Sequence, residues 1–331
     1  MILPIANDAR AAEGARPVRT FVTVTIQTYN RAATLAETLE SLRHLRCPDA
    51  TDYEILVVDN NSQDGTAQVI EQYRRLLAPR LRSVVETRQG LSHARNRALQ
   101  EARGEIVSFL DDDVIVDPSW LAAVTAAFAA HAATVVGGRS YLIYRSRRPA
   151  WLPAHYEFYL SRLDYGDQVL VATDHDLYGL NLSIRRAAAL QVGGFHPSLG
   201  RCGRVSLRSG EESDLLRQIR GRGGIVVYEP RAIVGHIVLA SRLRMKWFVR
   251  RAWAAGVDTE TLARLQDRRP QPFRSLVHLL RCCGSVLKSL VRGELARPIL
   301  FGKALAVVAA LGSLYASLRA GPRAPRAEAR P

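Results

Sequence analysis

The chain is short of the residues that staple small or secreted folds. Its 331 residues include four cysteines, Cys47, Cys202, Cys282 and Cys283. None of these is spaced as a metal ribbon requires. The count argues against a disulfide scaffold or a zinc ribbon and fits a reducing compartment. Residues 1–20 lack a basic start followed by a long apolar run, so they do not read as a secretory signal. No internal repeat is visible. Between Lys303 and Arg319 lie fifteen uncharged residues, short of the roughly 20 a spanning helix needs. An amphipathic or dimer-forming helix is the expectation there, with a transmembrane span as the alternative if Lys303 snorkels.

Acid is scarce in one place. From Ala240 to the end there are 18 Lys/Arg against 5 Asp/Glu, whereas the first 239 residues hold 28 against 26. The net charge of +15 therefore describes an appendage on a nearly neutral body. Such a surface suits nucleic acid, anionic lipid or a phosphorylated substrate. The apolar content of 47% argues against global disorder.

The body alternates strands and helices. Strands are expected at 21–27 (FVTVTIQ), 53–58, 82–86 and 105–110, with helices at 34–45, 66–77 and 92–102. That order predicts an α/β domain with a mostly parallel sheet. Ligands bind such sheets at the strands' carboxyl ends. Polar clusters sit at those ends: 28–31, Asp59, then Asp111, Asp112 and Asp113. Residues 141–178 read as irregular, a length that in compact domains is usually functional. Further strands are expected at 225–228 and 232–238, and helices with breaks near Pro270 and Pro298 from 241 on.

Several residues admit two readings. The three aspartates suit Mg²⁺ or Mn²⁺, or form an acidic turn before a helix near Pro118. Asp59 either accepts hydrogen bonds from a nucleotide or forms a turn. The start of the helix at Ser92, beside Arg88 and Arg95, favours an anion or is simply capped by Ser92. Glu211 and Glu212 open a helix, where acids are common for dipole reasons, or supply a general base. His236 is a core residue, or a metal ligand if the fold brings it to Asp113.

Taken in order, VTVTIQTYNR (22–31), ILVVDNNSQDGT (55–66), GLSHARNRAL (90–99), GEIVSFLDDD (104–113), GLNLSIRR (179–186) with GGF, and GEESDLLRQIRGRG (210–223) resemble the glycosyltransferase family 2 enzymes. The resemblance runs from about Val22 to His236. It implies a GT-A fold, Rossmann-like with a mostly parallel central sheet, and an inverting transfer from a nucleotide-sugar, commonly a UDP-sugar, with Mn²⁺ or Mg²⁺. It places Thr28, Tyr29, Arg31, Asp59, Arg88, Arg95 and Asp111 at the donor nucleotide. Asp111, Asp113 and His236 fall at the metal, and Glu212, or Glu211, at the catalytic base. Asn181 and Arg185, with residues 151–176, fall on the acceptor side. The base position commonly reads Glu-Asp and here reads Glu211-Glu212. The Gln-x-x-Arg-Trp of processive synthases is missing, which argues for single additions.

The expected layout is a flexible arm (1–20), a catalytic domain (21–239, with a nucleotide half to about 115 and an acceptor half from 116), a basic helical appendage (240–320) and a disordered tail (321–331). The expected partners are a nucleotide-sugar, a glycan or lipid-linked acceptor of cell-envelope polysaccharide biosynthesis, and an anionic membrane surface at the inner face of the membrane. The competing readings are a catalytically weak scaffold on the same fold and a nucleic-acid-binding protein acting through the basic quarter.

Overall fold

The computed structural model describes residues 20–203, 207–266, 268–293 and 296–319. Apart from Thr20, the expected arm and tail lie outside the described residues. The chain divides into two compact units. One runs up to Pro149 and resumes over Ala154–Arg244. The other joins Ala150–Pro153 to the chain from Met245 on.

In the first unit, β1 (Thr20–Thr28) is rich in β-branched residues and buried over most of its length, as a strand covered on both faces must be. The helix α1 (Ala32–Leu42) turns Leu35, Leu39 and Leu42 inward, the spacing of one helical face. There follow β2 (Thr51–Asp59), α2 (Thr66–Leu76), β3 (Leu81–Val85), α3 (Leu91–Glu101) and β4 (Ile106–Asp111). Next come β5 (Val114–Val116), α4 (Trp120–Ala130), β6 (Val135–Tyr144), β7 (Leu170–Val171) and β8 (Asn181–Arg185). The unit closes with α5 (Arg186–Gln191), α6 (Glu211–Gly221) and β9 (Val226–Val238). The sheet order is β3-β2-β1-β4-β8-β6-β9-β5, with β7 beside β9. The first four strands of that order are parallel, and register sets Thr28 beside Asp59 and Gln27 beside Asp111. The polar clusters thus share one edge of the sheet.

Two details depart from the sequence reading. The three-residue strand β5 was too short to show a period, and it pairs antiparallel with β9. The two short strands expected at 225–238 are one strand. Its register against β6 jumps from Gly138–Glu229 to Arg139–Ile233, leaving Pro230, Arg231 and Ala232 in a bulge. Proline has no N–H for a ladder, so an interrupted ladder accepts it. Asn181 fills the space at this bulge. Its Nδ2 donates to Arg139 O (3.1 Å) and Ala232 O (2.8 Å), and its Oδ1 accepts from Trp120 Nε1 (2.8 Å). A Cβ on Gly138 would lie 1.9 Å from Ala232 O, so only glycine permits this approach.

The second unit holds α7 (Met245–Leu265), α8 (Pro272–Val291) and α9 (Arg297–Leu318). The backbones of α7 and α9 approach closely at glycine. A Cβ on Gly256 would meet Ala309 O at 1.9 Å, and one on Gly312 would meet Trp253 O at 2.4 Å. Trp151 packs edge-on against Phe248 and Phe301. Helix α9 extends beyond the uncharged run because 297–303 is helical too. Among the described residues it is the one helix long and apolar enough to cross a bilayer by length and composition.

Replacing Asn181 with Ala strands one indole N–H and two carbonyls in the interior. Buried polar groups left unpaired cost about 1–3 kcal/mol each, so urea unfolding of Asn181→Ala should show a loss of at least about 2 kcal/mol. A loss under about 0.5 kcal/mol, the range of surface substitutions, would refute this role.

Candidate active site

The carboxyl edge of the sheet is built from three loops tied to one another. After β1, Asn30 adopts a left-handed φ of 52°, which lets its Oδ1 accept from Gln63 N (2.7 Å) while its own N–H donates to Ser62 Oγ (2.9 Å). After β2, Asp59 Oδ1 accepts from Ser62 N (2.9 Å) in a turn. Asn60 joins that loop to the next. It donates to Glu86 O and Arg88 O and accepts from Gly90 N. Asp59 is therefore a turn residue, at the edge where a donor would lie.

Arg95, projecting from α3, is fully buried and gathers carboxylates from two other elements. Its Nη1 donates to Glu211 Oε1 (3.0 Å) and Glu212 Oε1 (2.8 Å), and its Nη2 lies 3.6 Å from Asp111 Oδ1. Phe195 packs on its guanidinium at 5.3 Å. Gly179 makes room for this: a Cβ there would lie 2.1 Å from Arg95 Nη2. The Gly179 N–H donates to Glu212 Oε1 (3.2 Å). Burial opposes ionisation of Glu212, but the Arg95 charge and hydrogen bonds outweigh it and hold the carboxyl below its usual range. Burial, and then the charge of Glu212, push Glu211 up to about 8. The two adjacent glutamates are thus driven apart, one ionised and one protonated at neutral pH. The Glu212 side chain keeps 16% exposure against 3% for Glu211.

Asp113 is the centre of a second buried cluster, 2% exposed. It accepts from Arg242 Nη2 (2.8 Å) and Arg31 Nη1 (3.3 Å). His236 Nε2 lies 3.3 Å from Asp113 Oδ1 and 2.7 Å from Arg242 Nη1, while Nδ1 lies 2.6 Å from Leu160 O. The imidazole proton on Nδ1 is donated to the Leu160 carbonyl, and Nε2 faces both Asp113 and Arg242. Burial works against ionisation of Asp113, yet Arg242, then His236 and Arg31, hold its carboxyl well below the usual range. Asp112 accepts from Thr28 Oγ1 (2.7 Å). Burial pushes it up to about 7, against the pull of Arg31.

The structure therefore redistributes the expected residues. Thr28, Arg31, Asp59, Asp111, Asp113, Glu211, Glu212 and His236 do converge on one region, with Tyr29 half-buried among them. Arg95 is not a donor-facing cation; it is buried and spends its charge on Glu211, Glu212 and Asp111. Arg88 is exposed and pairs with both oxygens of Glu86. Thr28 spends its hydroxyl on Asp112. Ser92 does not cap α3: its Oγ donates to Leu199 O, and Leu91 N donates to Arg201 O. Asn181 is not on the acceptor surface, because its amide is consumed at the bulge. Arg185 is at the wrong end of the sheet. Strand β8 runs antiparallel to β4, so Asn181 sits by Leu110 but Arg185 sits by Ile106, where its Nε donates to Ala133 O.

A divalent cation on Asp113 and His236 does not fit this arrangement. The donor types suit Mn²⁺, but the Arg242 guanidinium is bonded to both residues. Among the described residues no group of three His, Cys, Asp or Glu is placed to hold a metal. Asp111, its side chain 27% exposed, is more open than Asp113 at 2%. Arg242 and Gly179 are the residues the sequence reading missed. Gly179 heads the GLNLSIRR motif, so a signal existed. Arg242 lies in a basic run with nothing to single it out. Within 154–166, Ala154, His155, Glu157, Phe158, Arg162, Asp164 and Gly166 line a cavity of about 460 Å³.

Comparison with known proteins agrees with the fold. Residues 23–193 match Glycosyl transferase family 2, about half of the chain, and the protein belongs to that family. It is a glycosyltransferase on a GT-A fold. Succinoglycan biosynthesis protein ExoM of Rhizobium meliloti is 28% identical over 71% of this chain and 72% of that protein. Glucosyl-dolichyl phosphate glucuronosyltransferase of Haloferax volcanii is 26% identical over 73% and 77%. The mannosyltransferase PcManGT from Pyrobaculum calidifontis, solved with GDP-Man and Mn²⁺, superposes with a TM-score of 0.56 at 23% identity, covering 92% of this chain and 77% of that one.

The protonated Glu211 has a measurable consequence. An acid whose folded pKa is raised loses stabilisation as pH climbs from its unfolded value, about 4.5, through its folded value, about 8. Glu211→Gln removes that loss. Its melting temperature relative to the parent should therefore rise between those two pH values and level off above them. A difference independent of pH would show that Glu211 is ionised throughout.

Proposed function

We propose that this protein moves one sugar from a nucleotide donor, commonly a UDP-sugar, to a hydroxyl of a glycan or lipid-linked acceptor, with inversion and in a single displacement. The observation that carries this reading is the shared guanidinium of Arg95. It sets an ionised, partly open Glu212 next to Asp111, at the sheet edge where a donor nucleotide would lie. In the reaction the acceptor oxygen forms a bond to the anomeric carbon as the bond from that carbon to the diphosphate oxygen breaks. Glu212 takes the hydroxyl proton, and the nucleoside diphosphate leaves. Asp59, Asp111 and Arg31 are the donor-side residues, and the cavity at 154–166 is the acceptor-side region. Arg95 is a positioning residue: it keeps Glu212 charged and aimed.

On metal dependence the geometry and the neighbours pull apart. Mn²⁺ in solved structures of the same fold favours a requirement for Mn²⁺ or Mg²⁺, and Arg242 on Asp113 opposes one at that residue. We place the enzyme in the cytoplasm at the inner face of a membrane, in polysaccharide or cell-envelope biosynthesis. The basic, apolar second unit and the kinds of enzyme it resembles support this.

The test is a screen of UDP-, GDP- and dTDP-sugars with Mn²⁺ or chelator, following release of nucleoside diphosphate. Glu212→Gln should lower kcat by about 10²–10⁴-fold, the usual contribution of a general base, while Glu211→Gln keeps most of it. Asp111→Asn serves as the donor-side control, since Asp113 is too embedded in ion pairs to change without unfolding risk. No release from any donor, together with no nucleotide binding by calorimetry, would sink the reading. Equal losses in the two glutamate variants would remove Glu212 from its role.

A further inference from the structure

Helix α8 buries serines and exposes leucines. Its two buried residues are Ser275 and Ser289, with Leu279, Cys282 and Val286 half-buried beside them. Ser275 Oγ donates to Glu260 Oε1 (3.2 Å), which also accepts from Ser313 Oγ (2.8 Å). Lys303 of α9 donates to Ser285 O (3.2 Å) and to Ser289 Oγ. The side turned to solvent is apolar: Phe273, Leu276, Leu280, Leu287, Leu290 and Val291 are all exposed, Phe273 at 76% and Val291 at 80%. Their spacing puts them on one stripe of the helix. In a water-soluble bundle this pattern is reversed, so the stripe is made for an apolar environment.

Beside that stripe runs a second one of pure positive charge. Arg274, Arg281 and Lys288 recur every seven residues and Arg292 follows the helix end. Helix α8 carries no acidic residue. A second copy of this helix is a poorer occupant, because α8 has no acidic residue to meet its partner's row of cations. A planar surface that is apolar within and anionic at its boundary satisfies both stripes at once.

We propose that α8 lies flat on an anionic bilayer, with the Phe273–Val291 stripe in the acyl boundary and Arg274, Arg281, Lys288 and Arg292 on the headgroup phosphates. This deepens the membrane placement proposed above and is independent of which sugar is moved. The full chain is mixed with vesicles of phosphatidylcholine, alone or with about one-third phosphatidylglycerol, and sedimented. Binding should be strong only with the anionic lipid. Each cation near such a surface is worth about 1 kcal/mol, or about fivefold in partitioning, so Arg281→Glu with Lys288→Glu should weaken binding at least tenfold. Leu280→Glu with Leu287→Glu should abolish it. These sites are exposed, so thermal melts of both variants should match the parent. A tryptophan placed by Leu280→Trp should be quenched by brominated acyl chains.

The proposal is overturned if the parent ignores anionic vesicles, or if the leucine variants bind as it does. It is also overturned if those variants split a dimer of a parent that does not bind lipid, which would assign the stripe to a second copy. Nucleoside diphosphate release in solution, measured on the same preparations, reports separately on the transferase reading.

Discussion

A buried guanidinium fixes the chemistry of this molecule. Arg95 alone in the interior would be strongly destabilising, because a charge removed from water without partners is among the costliest things a fold can contain. It persists because three carboxylates from distant parts of the chain converge on it: Asp111 where β4 ends, Glu211 and Glu212 where α6 begins. The dependence runs both ways. Without Arg95, three acids would crowd one another in a space with little water. The glycine at 179 and the ring of Phe195 are shaped around this charge. One cation also makes two chemically similar neighbours unequal. Glu212, closer to it and more open, is ionised, and Glu211, behind it, takes a proton.

The cluster at Asp113 follows the same logic with a different result. Arg242 and Arg31 both donate to one oxygen of Asp113, and His236 Nε2 lies 3.3 Å from the other. The imidazole is oriented by the Leu160 carbonyl, a device that also orients metal-binding histidines. Two arginines on Asp113, and no third His, Cys, Asp or Glu placed beside it and His236 among the described residues, make this an ion-pair hub. A cation would have to displace Arg242 from both Asp113 and His236, and the guanidinium would then need another partner.

The sheet was legible in the sequence because its parallel strands are continuous β-branched runs that end on polar residues, as in ILVVDNN. The gathering of Asp59, Asp111 and Glu212 was legible through the order of motifs. What each side chain does there was not. Asn181 and Arg185 stand four residues apart in one motif, yet one plugs a bulge and the other lies at the far end of β4. Local pattern cannot show which hydrogen bonds an amide will spend inside the fold. Arg95 looked like an anion-binding residue beside a helix start; only tertiary contact reveals that its anions are the protein's own. Strand β5 and the bulge at Pro230 were hidden because three residues are too few to set a period, and because an interrupted ladder mimics two strands.

The same limit bears on the helical unit, with the opposite outcome. Composition alone marked the last quarter as basic and apolar, which fits a docked helix with a solvated face as well as a surface-binding one. The direction in which α8 faces decides between them. A docked helix turns its leucines inward and its cations outward. Here the two buried residues are serines, held by Glu260 and Lys303, and Leu276, Leu280, Leu287 and Leu290 turn outward as a stripe beside the cations. Leaving that stripe in water is unfavourable by the ordinary hydrophobic scale of about 25 cal/mol per Å² of apolar surface. An apolar phase therefore lowers the free energy of this helix in the orientation it already has. The basic row beside the stripe specifies the sign of that phase's surface, so the two stripes together define both the depth and the charge of what α8 meets.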